Sequence, residues 1–162
     1  MDKAVAFLIV SLLFTTPAIA TVDHNNQAVD AIWLVTAGAL VFLMQAGFAL
    51  LESGMSRAKN AVNVIMKNYS DVCFGSIAFC LVGFGIMFGS NASGLIGTDH
   101  FLMVDFTEYD YSMLFFQTMF AATAATIVSG AMAERTQFVP YLLGSIVIMG
   151  LIYPVFGSWS WG

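Results

Sequence analysis

The sequence predicts an all-α integral membrane protein, a polytopic helical bundle of four transmembrane spans behind a cleavable secretory leader. Three observations predict it. Hydrophobic residues make up 59% of the 162 and charged residues only 9%, whereas a soluble domain carries about a quarter charged. Four apolar stretches succeed one another, each of roughly the length that a helix rising about 1.5 Å per residue needs to cross a ~30 Å hydrocarbon core. Every basic residue beyond the leader lies between the first two stretches or between the last two. This placement says more than the formal charge of -5, and five Lys and Arg without a patch exclude nucleic acid as a partner.

Met1-Asp2-Lys3, an apolar run over residues 4–14 and then Ala18-Ile19-Ala20 have the charged, apolar and small-residue regions of a secretory signal. Residues 1–20 are therefore expected to be a signal peptide, with the mature N-terminus near Thr21 outside the cytoplasm. A retained anchor helix is the alternative. The first span is expected at residues 31–51, apolar except for Thr36 and Gln45, and the others at about 72–89, 111–133 and 138–157. In the third, Ala122, Thr126 and Gly130 recur every four positions beside Ala121, Ala125 and Ser129, and Gly85 and Gly89 do so in the second. Such stripes let helix backbones approach closely in a membrane. Residues 134–137 alone join the last two spans, which are therefore expected to form a tight antiparallel hairpin.

Arg57, Lys59 and Lys67 precede the second span and Arg135 precedes the fourth, while residues 90–110 carry Asp99, Asp105, Glu108 and Asp110 and no basic residue. Cytoplasmic loops of membrane proteins retain Lys and Arg. Residues 52–67 are thus expected inside and 90–110 outside, in agreement with the leader. The expected location is the inner (plasma) membrane, multi-pass, with the mature N-terminus external.

No nucleophile, base and orienting residue can be assembled, no metal-ligand spacing exists and no cofactor is implied, so an enzyme is not expected. Cys73 and Cys80, seven apart, are expected on one helical face as small buried hydrophobes, about 10 Å apart and beyond disulfide reach. His24 and His100 stand alone in polar segments and read as solvated. Asn60, Asn63, Asn68 and Asp71, with Lys59 and Lys67 among them, read as a polar helix start that meets lipid head groups. Glu52 and the Glu134-Arg135 pair read as locally bonded structural groups. Polar groups at membrane depth tend to line pathways or interfaces. Gln117, flanked by Phe115, Phe116 and Phe120, reads either as part of an aromatic-gated passage or as a hydrogen bond to an adjacent helix among packed aromatics. Phe116 and Phe120 share a face one turn apart. Trp159 and Trp161 end the fourth span, where interfacial Trp is common and where an indole face also binds a small cation.

Four ordered blocks carry a resemblance: Ala46-Gly47-Phe48-Ala49-Leu50-Leu51-Glu52-Ser53-Gly54, then Arg57-Ala58-Lys59-Asn60, then Phe116-Gln117 through Ala131-Met132-Ala133-Glu134-Arg135, and Tyr153-Pro154 through Trp161-Gly162. Together they resemble the Amt/Mep/Rh family of ammonium transporters from about residue 31 onward. The resemblance implies the first four spans of an eleven-span unit that forms a homotrimer, each protomer carrying ammonium or ammonia through its own hydrophobic pore for nitrogen uptake. On that resemblance Trp161 matches the vestibule Trp that recruits the cation, and Phe120 matches the gating ring of the first half. Phe116, one turn outward, is placed at the vestibule, and Gln117 at a conduit-side position. The implied partners are ammonium or ammonia, the lipid membrane and further copies of the chain. The family's pore histidine pair, its structural Asp, second gating phenyl and vestibule Ser belong to later segments, and Ser158 stands where a His is common. The chain is therefore expected to be an incomplete portion of the transporter. The alternative function is an ammonium-sensing module of a larger signalling protein, and a third is an unrelated helical bundle.

Overall fold

A computed structural model describes residues 24–90 and 95–161, with side chains from residue 27 onward. The leader with its cleavage pattern, the His24 side chain, residues 91–94 and Gly162 lie outside the described residues. Four helices, α1 (His24–Met55), α2 (Ala58–Phe88), α3 (Glu108–Met132) and α4 (Phe138–Trp161), are each long and apolar enough to cross a membrane. No strand occurs among the described residues. α3 is central: half of its most apolar window is buried, against 11% for α1.

The helices form two parallel pairs. α1 lies along α3 in a seven-residue register, with Gly38 against Phe115, Gln45 against Thr123 and Thr126, and Glu52 against Ser129 and Gly130. Gly38 lets the helices close there, because a Cβ would stand 2.7 Å from the Phe115 ring, which would have to shift. Of the two small-residue stripes, Ala121, Ala122, Ala125, Thr126 and Ser129 are buried, while Gly130 opens to a cavity beside Glu52. Gly85 and Gly89 serve a different purpose from the expected helix contact. A Cβ on either would lie 2.8 Å from the Asp99 carbonyl, so they admit the α2–α3 connection instead of another span.

α2 and α4 form the second pair, matched in order from Asp71 with Tyr141 and Ser145, through Gly75 and Gly83 with Met149, to Met87 with Gly157. Both helices depart from regular α geometry. α2 contains π turns at Asp71–Gly75 and Phe79–Gly83, and α4 one at Ile148–Ile152. The last sits just before Pro154, which has no N–H for the preceding turn; a widened turn is one way a helix accommodates that loss.

α2 begins at Ala58, well before the expected start at 72, so only residues 56–57 separate it from α1. Of the polar residues expected to meet lipid head groups at the helix start, Lys67, Asn68 and Asp71 are instead buried between helices, while Lys59 and Asn63 are exposed, as are Val62, Met66 and Tyr69. At the other end, Thr107 and Asp110 close a reciprocal capping box on α3, with Thr107 N donating to Asp110 Oδ2 at 2.8 Å. Phe84, Phe106 and Tyr111 stack beneath the connection at 4.8 and 5.4 Å between ring centroids. Asp99 accepts from the Ser90 amide at 2.5 Å and from the Ser90 hydroxyl, and these donors hold its carboxyl below the usual range. Asp99 and Asp110 thus tie down the two ends of the connection.

Candidate functional site

Two places in the bundle carry polar or aromatic groups at depth. The first is the N-terminal half of α3 with the end of α4. Phe116 and Phe120 pack at 4.8 Å between centroids, tilted by 55°, both half-buried. Gln117 points around the helix from them into the α3–α4 interface, where Tyr153 Oη donates to its Oε1 at 3.0 Å. Trp161, the last described residue of α4, is 60% exposed. Trp159 is pinned, its indole Nε1 donating to the Leu95 carbonyl at 2.8 Å. Ser158 is buried with its hydroxyl unpartnered. The structure therefore brings Phe116 and Phe120 together, turns Gln117 to a neighbouring helix and leaves Trp161 open.

The second place is a ladder of buried polar groups through the other half of the bundle, linking all four helices. Gln45 of α1 donates from Nε2 to Thr123 Oγ1 at 3.2 Å and accepts at Oε1 from Thr126 at 3.0 Å. One helical repeat further, Glu52 Oε2 accepts from Asn68 Nδ2 of α2 and Ser129 Oγ of α3, each at 3.3 Å. Asp71 of α2 accepts from Tyr141 Oη at 2.5 Å and Ser145 Oγ at 2.6 Å, both of α4. Lys67 lies 5.0 Å over the Tyr141 ring and donates to the Thr136 carbonyl at 3.2 Å and hydroxyl at 3.3 Å.

At the basic end, Glu134 adopts a left-handed backbone, φ 61°. Its Oε1 accepts from the Arg57 amide at 2.7 Å and Asn60 Nδ2 at 3.1 Å, and its Oε2 lies 3.3 Å from Arg57 Nε. The Arg57 amide, then Asn60, hold this carboxyl below the usual range. Glu52 and Glu134 therefore bond across the fold, between elements distant in sequence, and not locally.

A sequence model of the Ammonium Transporter Family matches residues 32–162. The chain belongs to the ammonium transporter family. It is 47% identical over 167 residues to ammonium transporter Amt2 of Archaeoglobus fulgidus, an alignment covering 98% of this chain and 36% of that protein. It is 43% identical over 138 residues to ammonium transporter 1 member 3 of Solanum lycopersicum, covering 84% and 30%. A solved structure called Sensor Amt Protein superposes with a TM-score of 0.82 at 43% identity, over 86% of this chain and 35% of that one. The chain spans about a third of the length of these relatives.

For a member of the ammonium transporter family, the two places differ in chemistry. The Phe116–Phe120 pair offers an apolar, ring-lined face with no side-chain charge. The ladder offers fixed donors and acceptors between helices, suited to holding them in one register. The packing of Phe116 on Phe120 is legible in their four-residue spacing, whereas the ladder is not apparent from any one segment. Its signal was present in Lys67 and Asp71, and in Tyr141 and Ser145, each pair four apart and so on one helical face. Both cysteines also depart from expectation, since Cys73 is exposed and Cys80 half-buried.

Proposed function

We propose that this chain supplies one wall of a conduit that carries ammonium or ammonia across the inner (plasma) membrane for nitrogen uptake, without enzymatic chemistry. The observation that carries the reading is the Phe116–Phe120 pair, stacked at 4.8 Å on one face of α3, in a chain of this family. In this reading Trp161 recruits the cation through its ring quadrupole at an outer vestibule that Phe116 borders. Phe120 closes the path to water, and Gln117, held by Tyr153, fixes the ring face of α3 against α4. Residues 1–20 act as the leader and residues 21–162 as the first part of the transporter domain, with the mature N-terminus outside. The complete unit works as a homotrimer in the lipid membrane.

Uptake of labelled methylammonium by the full-length protein in proteoliposomes tests these roles. A cation–π contact at an exposed ring is worth about 0.5–1 kcal/mol, so Trp161→Leu is expected to weaken recruitment by roughly two- to five-fold at low substrate and little at saturation. Phe120→Ala is expected to change conduction at every concentration. Unchanged uptake in both variants across the concentration series rejects the assignment. The likeness to a structure called Sensor Amt Protein supports a second reading, an ammonium-sensing module. Specific substrate binding by the full-length protein without flux decides for it.

A further inference from the structure

The charges inside the bundle do not balance. Lys67, Asp71 and Glu52 bring one amine and two carboxyl groups into the interior at 1%, 0% and 8% exposure, where an uncompensated charge is strongly disfavoured. Asp71 carries the stronger set of donors. Each of its oxygens accepts a short hydroxyl bond, from Tyr141 and from Ser145, and the Lys67 amine lies over that same tyrosine ring. Glu52 is built differently. Its two donors stand at 3.3 Å and both address one oxygen, Oε2. Among the described residues no cationic nitrogen makes an ion pair with it. Its other oxygen, Oε1, is directed at Gly130, where a Cβ would lie 3.5 Å away. Glu52 and Gly130 line a cavity of about 450 Å³ with Phe48, Met55, Ile127 and Glu134 at the basic end of the bundle.

The cluster is also short of hydrogen. Asn68 Oδ1 is buried with no donor, so Glu52, Asn68 and Ser129 together present more acceptors than donors. A hydrogen on Oε1, which accepts no bond and faces Gly130, adds a donor to the cluster and removes the surplus negative charge in one step. The other ionisable groups around Glu52 are Lys67 and Asp71 of α2, Tyr141 of α4 and, across the cavity, Glu134. Lys67 is committed to Thr136 and Glu134 to Arg57 and Asn60.

We infer that Glu52 is a carboxylic acid buried between helices that holds a proton at neutral pH and exchanges it with the cavity at the basic end of the bundle, a proton-binding site separate from the ring-lined face of α3. Dicyclohexylcarbodiimide is a suitable probe, because it enters apolar phases and reacts with protonated carboxyl groups. The acid adds across one C=N bond, hydrogen to nitrogen and carboxyl oxygen to carbon, and the O-acylisourea rearranges to a stable N-acylurea with no atom lost.

In lipid vesicles at neutral pH the intact chain is expected to gain this adduct on Glu52, with labelling that declines as pH is raised. Glu52→Gln should abolish the adduct at that peptide, while Asp71→Asn and Glu134→Gln should leave it. The infrared spectrum of the unsubstituted protein decides independently of reagent access or variant folding. It should show a protonated-carboxyl carbonyl band that shifts when isotope-labelled glutamate is incorporated. A spectrum with glutamate only in its ionised form at neutral pH, or an adduct on Asp71 in place of Glu52, overturns the inference.

Discussion

Tyr141→Phe deletes one oxygen from the middle of the buried ladder and leaves the ring in place. The lost hydroxyl donates at 2.5 Å to a fully buried Asp71. A hydrogen bond to a charged group of this kind is worth about 1.5–3 kcal/mol, since the acceptor left behind has no water to turn to. Ser145 still serves the other oxygen at 2.6 Å, and the Phe ring still lies beneath Lys67, so the loss falls on the hydroxyl alone. In a chain of this size each kcal/mol moves Tm by about 2–4 °C, so Tyr141→Phe should lower it by roughly 3–12 °C. Thermal unfolding followed by circular dichroism in one fixed lipid–detergent mixture measures this. Ser145→Ala in the same assay should cost a similar amount. The double variant should cost more than the sum, because Asp71 then keeps neither of the two donors. A shift below about 1 °C for Tyr141→Phe would show that Asp71 is not held by this bond, and the charge argument built on it would fail.

Three further outcomes are expected. Gly83→Ala should lose about 1–2 kcal/mol despite the better helix propensity of Ala, because its Cβ would stand 3.0 Å from both the Met149 carbonyl and the Pro154 ring, neither of which can step aside; equal or higher thermal stability contradicts the close α2–α4 packing. The Glu134 clamp should keep amide exchange slow at residues 56–60 above the ordinary carboxylate pKa of 4.5. Because that carboxyl sits below its ordinary value, protection should be lost only as pH falls further through the lowered one, and loss already above 4.5 would refute the clamp. In a cysteine-free background, a membrane-impermeant thiol reagent applied outside should label Asp105→Cys and leave Lys59→Cys untouched, while the reverse pattern would invert the proposed orientation.

Much of the fold was readable because hydrophobic length and charge placement act on whole segments. Four apolar stretches and the small-residue stripes of α3 needed only composition and spacing. The ladder was harder, because each member taken alone has an ordinary surface explanation: Lys67 and Asn68 as a head-group contact, Tyr141 as an interfacial aromatic, Ser145 as a small residue. What makes them a site is that four helices bring them into contact, and pairing between helices is not written in any one of them. Gln117 shows what such a reading can reach: of its two expected roles the structure shows the hydrogen bond to an adjacent helix, from Tyr153 of α4, a partner that its own flanking residues do not name.

The period of α2 explains a further part of what was missed. Lys67, Asp71, Gly75, Phe79, Gly83 and Met87 are all buried and recur every four residues. In a regular α-helix at about 3.6 residues per turn, each such step drifts by about 40°, so the last of the six would sit on the far side from the first. The two π turns, Asp71–Gly75 and Phe79–Gly83, widen the coil and bring the local period up toward four. They thereby keep one continuous face against α4, where Tyr141, Ser145, Met149 and Gly157 follow the same spacing around a π turn of their own. A seven-residue spacing no longer repeats on such a helix, which is why Cys73 faces out while Cys80 is half-buried. The same widening carries Asp71 and Lys67 inward together with Phe79 and Met87. The buried charges and the apolar core of this pair therefore rest on one departure from regular helix geometry, and a change that straightened α2 would rotate the charged groups and the core residues apart.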